Sequence, residues 1–179
     1  MTSGTLRRLV VLRHAKSAWP PDVADSERPL APRGCRDAPA AGRWLREADC
    51  VPDLVVCSPA RRTRQTWDLV AAEFGAGTAV IHEERIYRAS AGELLDVVRE
   101  IPAQVRTLML IGHNPGVQEL VLLLASETDG YALEQTRTKF PTSAIAVLRV
   151  PGPWSSLEPD AARLTDMVVP RGANPCANP

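Results

Sequence analysis

Lysine is scarce in this chain. The 21 basic residues comprise Lys16, Lys139 and 19 arginines, and 21 acidic residues balance them, so that charge of neither sign dominates. A balanced chain lacks the overall positive field that nucleic-acid-binding proteins use, so we expect no nucleic-acid partner. Any binding of phosphate must therefore be local.

Cysteine is also scarce, and the four residues are Cys35, Cys50, Cys57 and Cys176. They form no CxxC pair and no dense framework, which excludes a disulfide scaffold and indicates free thiols in a reducing compartment. No apolar run reaches the roughly 18 residues of a membrane span, and the stretch 9–12 is too short for a secretory signal. We therefore expect a cytoplasmic protein with no membrane partner.

Length and composition favour one globular domain. The chain has 179 residues, of which 45% are hydrophobic and 23% are charged, as in ordinary soluble proteins. Residues 171–179 are rich in proline, glycine and asparagine. We predict one domain over residues 1–170 and a disordered tail over residues 171–179.

Strand-like and helix-like segments alternate along the chain. Short apolar runs rich in β-branched residues predict buried strands, and longer amphipathic stretches predict helices. The predicted strands are Leu6–Leu12, Asp53–Cys57, Arg106–Ile111, Ser143–Val150 and Arg163–Val169. The predicted helices are Pro32–Glu47, Ala60–Phe74, Pro115–Ala125 and one that starts at a capping box formed by Ser90 and Glu93. This order predicts a three-layer α/β/α domain with a mainly parallel central sheet.

Arginine and histidine residues follow the three best-defined strands: Arg13 and His14, then Arg61 and Arg62 just after Ser58-Pro59, then His113. Ligands of parallel sheets bind at the carboxyl ends of the strands, so we expect these side chains to meet. Histidine is a common zinc ligand, but no nearby carboxylate completes a metal site and arginine has the wrong charge beside a cation. Guanidinium and imidazole donors instead suit a dianion such as phosphate.

Three segments together resemble a known family. Leu12-Arg13-His14-Ala15 is similar to the Arg-His-Gly signature of the histidine phosphatase superfamily, also called phosphoglycerate mutase-like. Residues 58–66 (SPARRTRQT) resemble its S-P-x-x-R-x-x-Q-T helix start, and Gly112-His113-Asn114 resembles its second-histidine turn. Segments 25–30 and 140–146 look most like the SixA-type phosphohistidine phosphatases. The resemblance covers residues 6–150 and implies a phosphoglycerate mutase-like fold.

The resemblance implies a phosphatase that acts through a phosphorylated histidine, with phosphohistidine in proteins as its substrate. His14 would be the nucleophile, while Arg13, Arg62 and His113 would bind the phosphoryl oxygens. The two arginines would also disfavour protonation of His14. No metal and no cofactor is implied, and the expected partner is a phosphorylated protein or a small phosphorylated substrate.

Departures from the family pattern limit what can be carried over. Ala15 replaces the usual glycine, so its backbone must avoid conformations that a Cβ forbids. Pro20 stands where mutase-type members carry asparagine, which argues against a sugar-phosphate mutase. The family spacing makes Arg62 the phosphate-binding arginine, and we expect Arg61 and Arg64 to face outward or to steer the substrate.

The general acid is left open by the sequence. The mutase-like branch carries its acid near the segment that here spans residues 82–87, which makes Glu84 the first candidate and Glu83 the second. Two exposed acidic residues are an equally good interpretation. A small-metabolite phosphomonoesterase would need this acid, whereas a phosphoramidate could dispense with it. A non-catalytic phosphoprotein-binding module is a third interpretation, but the retention of both His14 and His113 argues against it.

Overall fold

One sheet organises the chain. In the computed structural model, which describes residues 6–75 and 77–173, seven strands join in the order β3-β2-β4-β1-β6-β7-β5. They are β1 (Arg7–Arg13), β2 (Leu54–Cys57), β3 (Ala79–His82), β4 (Thr107–Gly112), β5 (Ala125–Thr128), β6 (Ile145–Val150) and β7 (Ala162–Val168). Only β6 runs antiparallel to its neighbours, while the pairs β1–β4, β2–β3, β2–β4 and β5–β7 are parallel. The predicted fold class is confirmed.

The helices over the described residues are α1 (Pro32–Glu47), α2 (Arg61–Ala71), α3 (Ala91–Arg99), α4 (Gly116–Leu124) and α5 (Ala132–Thr138). Helix α1 has the predicted limits and begins with proline, whose missing N–H costs nothing at the first helical position. The predicted capping box is present, because the side chains of Ser90 and Glu93 each accept the other's backbone N–H. Across the described ranges, no helix is both long and apolar enough to span a bilayer.

The three layers follow from the alternation of side chains along the central strands. In β1, Leu9 and Val11 belong to the apolar core beneath α3 and α4, whereas Val10 and Leu12 belong to the core beneath α1 and α2. Successive strand residues point to opposite faces, and helices cover both faces. A continuous apolar run is what such a doubly covered strand requires.

Strands β3 and β5 and helix α5 were not predicted from the sequence. Strand β3 (AVIH) is a four-residue edge strand in which Ala79, Ile81 and His82 are exposed, and its apolar run is shorter than those of the predicted strands. His82 is its last residue. Strand β5 is equally short and largely polar (ASET). Both become evident through their pairing with a neighbouring strand, β3 with β2 and β5 with β7.

The first residues of the predicted tail contact the domain. Arg171 donates a hydrogen bond to the carboxylate of Asp37 (2.8 Å), and the backbone N–H of Gly172 donates another (3.0 Å). Asp37 is a buried residue of α1. Residues 174–179 lie outside the described ranges, and the division at residue 170 stays a prediction.

Gly34 fits α1 against the loop that follows β1. A Cβ at this position would overlap the carbonyl oxygen of Lys16, which accepts a hydrogen bond from the backbone N–H of Ala31 (2.8 Å). Only glycine allows the helix to approach the loop this closely. The start of α1 is therefore fixed next to the residues that follow His14.

We expect Gly34→Ala to lower the free energy of unfolding by roughly 1–3 kcal/mol, because the loop must move to admit the methyl group. Gly92→Ala is the matched control, since the nearest atom to an added Cβ there is 3.9 Å away. Denaturant unfolding of both variants measures the difference. Equal stabilities would contradict the close packing of Gly34.

Candidate active site

The sheet order brings the three predicted strand ends side by side. Strands β2, β4 and β1 are consecutive in the sheet, so His113 after β4 lies between Ser58 after β2 and His14 after β1. The backbone N–H of His14 bonds to the carbonyl oxygen of Gly112 (3.1 Å), and that of Ser58 bonds to the carbonyl oxygen of Ile111 (3.1 Å). The pairing of the strands thus continues into the site and holds all three residues.

His14 is buried and its reactive nitrogen is defined. The ring Nδ1 lies 2.7 Å from the carbonyl oxygen of Ala15, an acceptor only, so Nδ1 carries the proton and Nε2 holds the free electron pair. The pKa of His14 is lowered to about 3, mainly by burial; the Ala15 carbonyl raises this pKa, and the charges of His113, Arg62 and Arg13 lower it. The imidazole is therefore neutral at physiological pH, as a nucleophile requires.

Thr66 holds the backbone next to His14. Its hydroxyl accepts the N–H of Ala15 (3.0 Å) and donates to the carbonyl oxygen of Arg62 (2.7 Å). Ala15 is fully buried and does not have a positive φ. Replacement of the family glycine by Ala15 is thus accommodated without strain.

Three guanidinium groups line the same cavity as His14, those of Arg13, Arg28 and Arg62. Arg13 donates from Nη1 to the carbonyl oxygen of Phe140 (3.0 Å). Arg62 donates from Nη1 to the carbonyl oxygen of Asp25 (2.7 Å) and from Nη2 to its carboxylate (3.1 Å). The Nε atoms of Arg13 and Arg62 are buried and have no hydrogen-bond partner among the described residues. These donors suit an anion, because a buried N–H without an acceptor is costly.

His113 presents a further donor. Its ring centroid is 5.2 Å from that of His14, and its Nε2 is 2.7 Å from the hydroxyl of Ser58. That hydroxyl oxygen also accepts the backbone N–H of Ala60 (3.4 Å), and its own hydrogen is available to an unprotonated Nε2 of His113. We assign His113 the tautomer with the proton on Nδ1, an atom that is buried and without a protein partner in the described chain.

Asp25 is a site residue to which the sequence reasoning gave no role. Its carboxylate accepts hydrogen bonds from Tyr87, Arg28 and Arg62. The Tyr87 hydroxyl, followed by the two arginines, holds the pKa of Asp25 well below its ordinary value. Asp25 therefore acts as a permanent anion that orients Arg62.

The site opens through two adjoining cavities. One, of about 240 Å³, is lined by His14 and Arg13, and the other, of about 610 Å³, is lined by Asp25 and Tyr87. Arg62, His113 and Asn114 line both. Within residues 6–75 and 77–173, no group of three histidine, cysteine or acidic residues could hold a metal ion. The arrangement combines a nucleophilic nitrogen with donors for a phosphoryl group.

Comparison with known proteins agrees with this chemistry. Residues 9–114 match the sequence profile of the histidine phosphatase superfamily, branch 1. The chain belongs to this superfamily. It is 44% identical over 162 residues to an uncharacterized protein of Mycobacterium tuberculosis H37Rv, an alignment that covers 89% of this chain and all of the relative.

Solved structures place this histidine phosphatase near the SixA proteins. A candidate phosphohistidine phosphatase SixA from Nakamurella multipartitia superposes with a TM-score of 0.80 at 34% identity, covering 92% of this chain and 96% of the other. The corresponding protein from Agrobacterium tumefaciens gives 0.76 at 27% identity, covering 92% and 98%. A SixA protein histidine phosphatase complexed with tungstate shares the fold, with a TM-score of 0.74 at 23% identity, covering 91% and 97%. The chain is a SixA-like member of the superfamily.

The three arginines at the start of α2 lie in different environments. Arg62 is buried, while Arg61 and Arg64 are exposed. A helix turns by about 100° per residue, so neighbouring side chains cannot share one face. In this histidine phosphatase, Arg62 is the arginine of α2 that lines the two cavities.

Glu84 does not join the other predicted site residues. It lies in the 3-10 turn Glu84–Ile86, is exposed, and lines neither cavity. Ile86 is the buried residue of that turn, which leaves Glu84 facing water. Glu83 is used elsewhere, because its carboxylate accepts hydrogen bonds from Arg85. The residue of this segment that reaches the site is Tyr87.

We expect His14 to remain neutral from pH 7 down to about pH 4 and to bind its proton only near pH 3. NMR titration of histidine ring signals measures this pKa directly. The unfolded chain binds this proton near pH 6.5, so the free energy of unfolding should fall as the pH drops from about 6.5 towards 3. The free energy of unfolding of His14→Asn should fall less over that pH range than that of the wild type. A measured His14 pKa near 6.5 would contradict the conclusion that burial keeps the ring neutral.

Ser58→Ala should remove the hydrogen bond that selects one tautomer of His113. We expect ring ¹⁵N shifts of His113 to change from a single Nδ1–H form to a mixture, and kcat/KM to fall by up to the roughly 10²–10³-fold expected for the loss of one donor. Thr63→Ser is the control, because Thr63 bonds to the Ser58 and Ala60 carbonyl groups and keeps its hydroxyl. Unchanged ¹⁵N shifts in Ser58→Ala would refute this role of Ser58.

Proposed function

We propose that this histidine phosphatase hydrolyses phosphohistidine in proteins through a phosphohistidine intermediate formed on His14. The observation that carries the proposal is the fixed Nε2 electron pair of His14 in a cavity that is also lined by Arg13, Arg62 and His113. A site for phosphate binding alone would not need a neutral imidazole oriented in this way. The similarity to SixA proteins supports the same assignment.

The reaction has two displacements at phosphorus. First, Nε2 of His14 forms a bond to phosphorus as the bond from phosphorus to the substrate imidazole breaks, and the released imidazole keeps or gains one proton. Second, water attacks the phosphorus, the bond to His14 breaks, and phosphate and a proton leave. The guanidinium groups and His113 offset the charge on the three equatorial oxygens in both steps.

The acidic groups of the site favour a phosphoramidate over an ester. An alkoxide leaving group needs a proton donor, and enzymes keep a carboxyl group protonated by burying it. Asp25 is held ionised by its three donors, and the other carboxyl groups that line the larger cavity, Glu93 and Glu119, are exposed. Imidazole is a better leaving group, so the proposed substrate makes the least demand on such an acid.

The small-metabolite phosphomonoesterase is the second candidate, because both cavities together could admit a small phosphate ester. An esterase of this kind needs a general acid for the leaving alkoxide. Its candidate acid is Glu119 of α4, whose carboxyl group lines the larger cavity. A non-catalytic binding module is disfavoured by the free electron pair of His14. The relative turnover of the two substrate classes separates these functions.

The test compares free phosphohistidine with glycerol phosphate at one pH. We expect phosphohistidine to be cleaved much faster, and mass spectrometry after an alkaline quench to find phosphate on His14. His14→Ala should lower turnover by more than about 10³-fold while leaving the thermal unfolding cooperative. Glu84→Gln should change either activity by less than about twofold, because the side chain faces water. Faster cleavage of the ester, or turnover without the His14 phosphoenzyme, would overturn the proposal.

A further inference from the structure

An exposed tryptophan stands at the mouth of the site. Trp19 is 75% exposed, yet it lines the same cavity as His14. It lies on loop 18–24, which also carries the exposed Val23. Single exposed aromatic side chains are common on protein surfaces, but this one lines the cavity of His14, where a bound substrate could contact the ring.

The ring of Trp19 is held in place before anything binds. The guanidinium of Arg28 lies 3.1 Å from the ring centroid. Arg28 is itself buried and donates to the Ser17 hydroxyl (2.6 Å) and to the carbonyl oxygen of Ala18 (3.0 Å). The cation covers one face of the indole and leaves the rest accessible. Little rotational freedom remains to be lost when a ligand contacts this ring.

The two cavities adjoin, and together they are larger than a phosphoryl group requires. Arg62, His113 and Asn114 line both cavities. Trp19 lines the smaller cavity beside His14, and Glu119 lines the larger one. A substrate that extends beyond its phosphorylated group into both cavities would fill them, and a polypeptide has this form.

We propose that Trp19 binds the polypeptide that carries the phosphohistidine and thereby selects protein substrates over the free amino acid. This inference rests on the proposed function and adds to it the residue that recognises the carrier. Tryptophan is among the residue types that contribute most to protein interfaces, because a rigid ring buries a large area at small entropic cost. The ring is a specificity determinant and takes no part in the phosphoryl transfer.

The test uses two substrates with the same reacting group: free phosphohistidine, and a synthetic peptide with one central histidine phosphorylated by phosphoramidate. We expect Trp19→Ala to lower kcat/KM for the peptide by about 10-fold or more, mainly through KM, on the scale of an interface hot spot. The loss for free phosphohistidine should be less than about threefold. Trp19→Phe should recover most of the activity on the peptide.

Tyr131→Ala is the matched control, because Tyr131 is 77% exposed and lines a different cavity beside α5. It should leave both activities unchanged. Equal losses on both substrates in Trp19→Ala would overturn the inference and show that the ring contacts the leaving imidazole, and no loss on the peptide would also overturn it. The proposed function fails separately, if the wild-type protein cleaves neither phosphohistidine substrate.

Discussion

Buried His14 donates the proton on its Nδ1 to the carbonyl oxygen of Ala15, and the chemistry of the site depends on this hydrogen bond. A neutral imidazole has one proton, so its commitment to Nδ1 leaves the electron pair on Nε2. Burial lowers the pKa of the ring to about 3. The bond and the burial together define both the charge and the orientation of the proposed nucleophile, and the position of Ala15 in turn depends on Thr66 in α2.

The second requirement is to hold two arginines close together in a largely buried site. Neighbouring cations repel each other, and burial together with the charge of Arg62 lowers the pKa of Arg13. Hydrogen bonds offset part of this repulsion. Arg13 donates to the carbonyl oxygen of Phe140, and Arg62 donates to the backbone carbonyl and to the carboxylate of Asp25. These partners bind the outer nitrogens and leave each Nε without a protein acceptor. The protein thus stabilises the cations while keeping donors for a dianion.

Arg28 connects the centre of the site with its rim. It bonds to the carboxylate of Asp25, which orients Arg62, and its guanidinium also lies against the ring of Trp19. Tyr87 donates to the same carboxylate from the turn after β3. Asp25 therefore joins Arg28, helix α2 and a distant turn, and Arg62 takes its position only when these segments have folded together.

The class of fold and the residues at the centre of the site could be predicted from local sequence patterns. Continuous apolar runs marked the strands that are covered on both faces, and His14, Arg62 and His113 could be located because residues after parallel strands share one edge of the sheet. Three features became evident only in the folded chain: the short strands β3 and β5, the presence of Tyr87 rather than Glu84 in the site, and the role of Asp25. Each of these depends on a partner far away in the chain: Asp25 meets Tyr87 across 62 positions. Local sequence patterns indicate which residues are buried and which form a helix or a strand. A hydrogen bond between distant segments forms only when the sheet has brought those segments together.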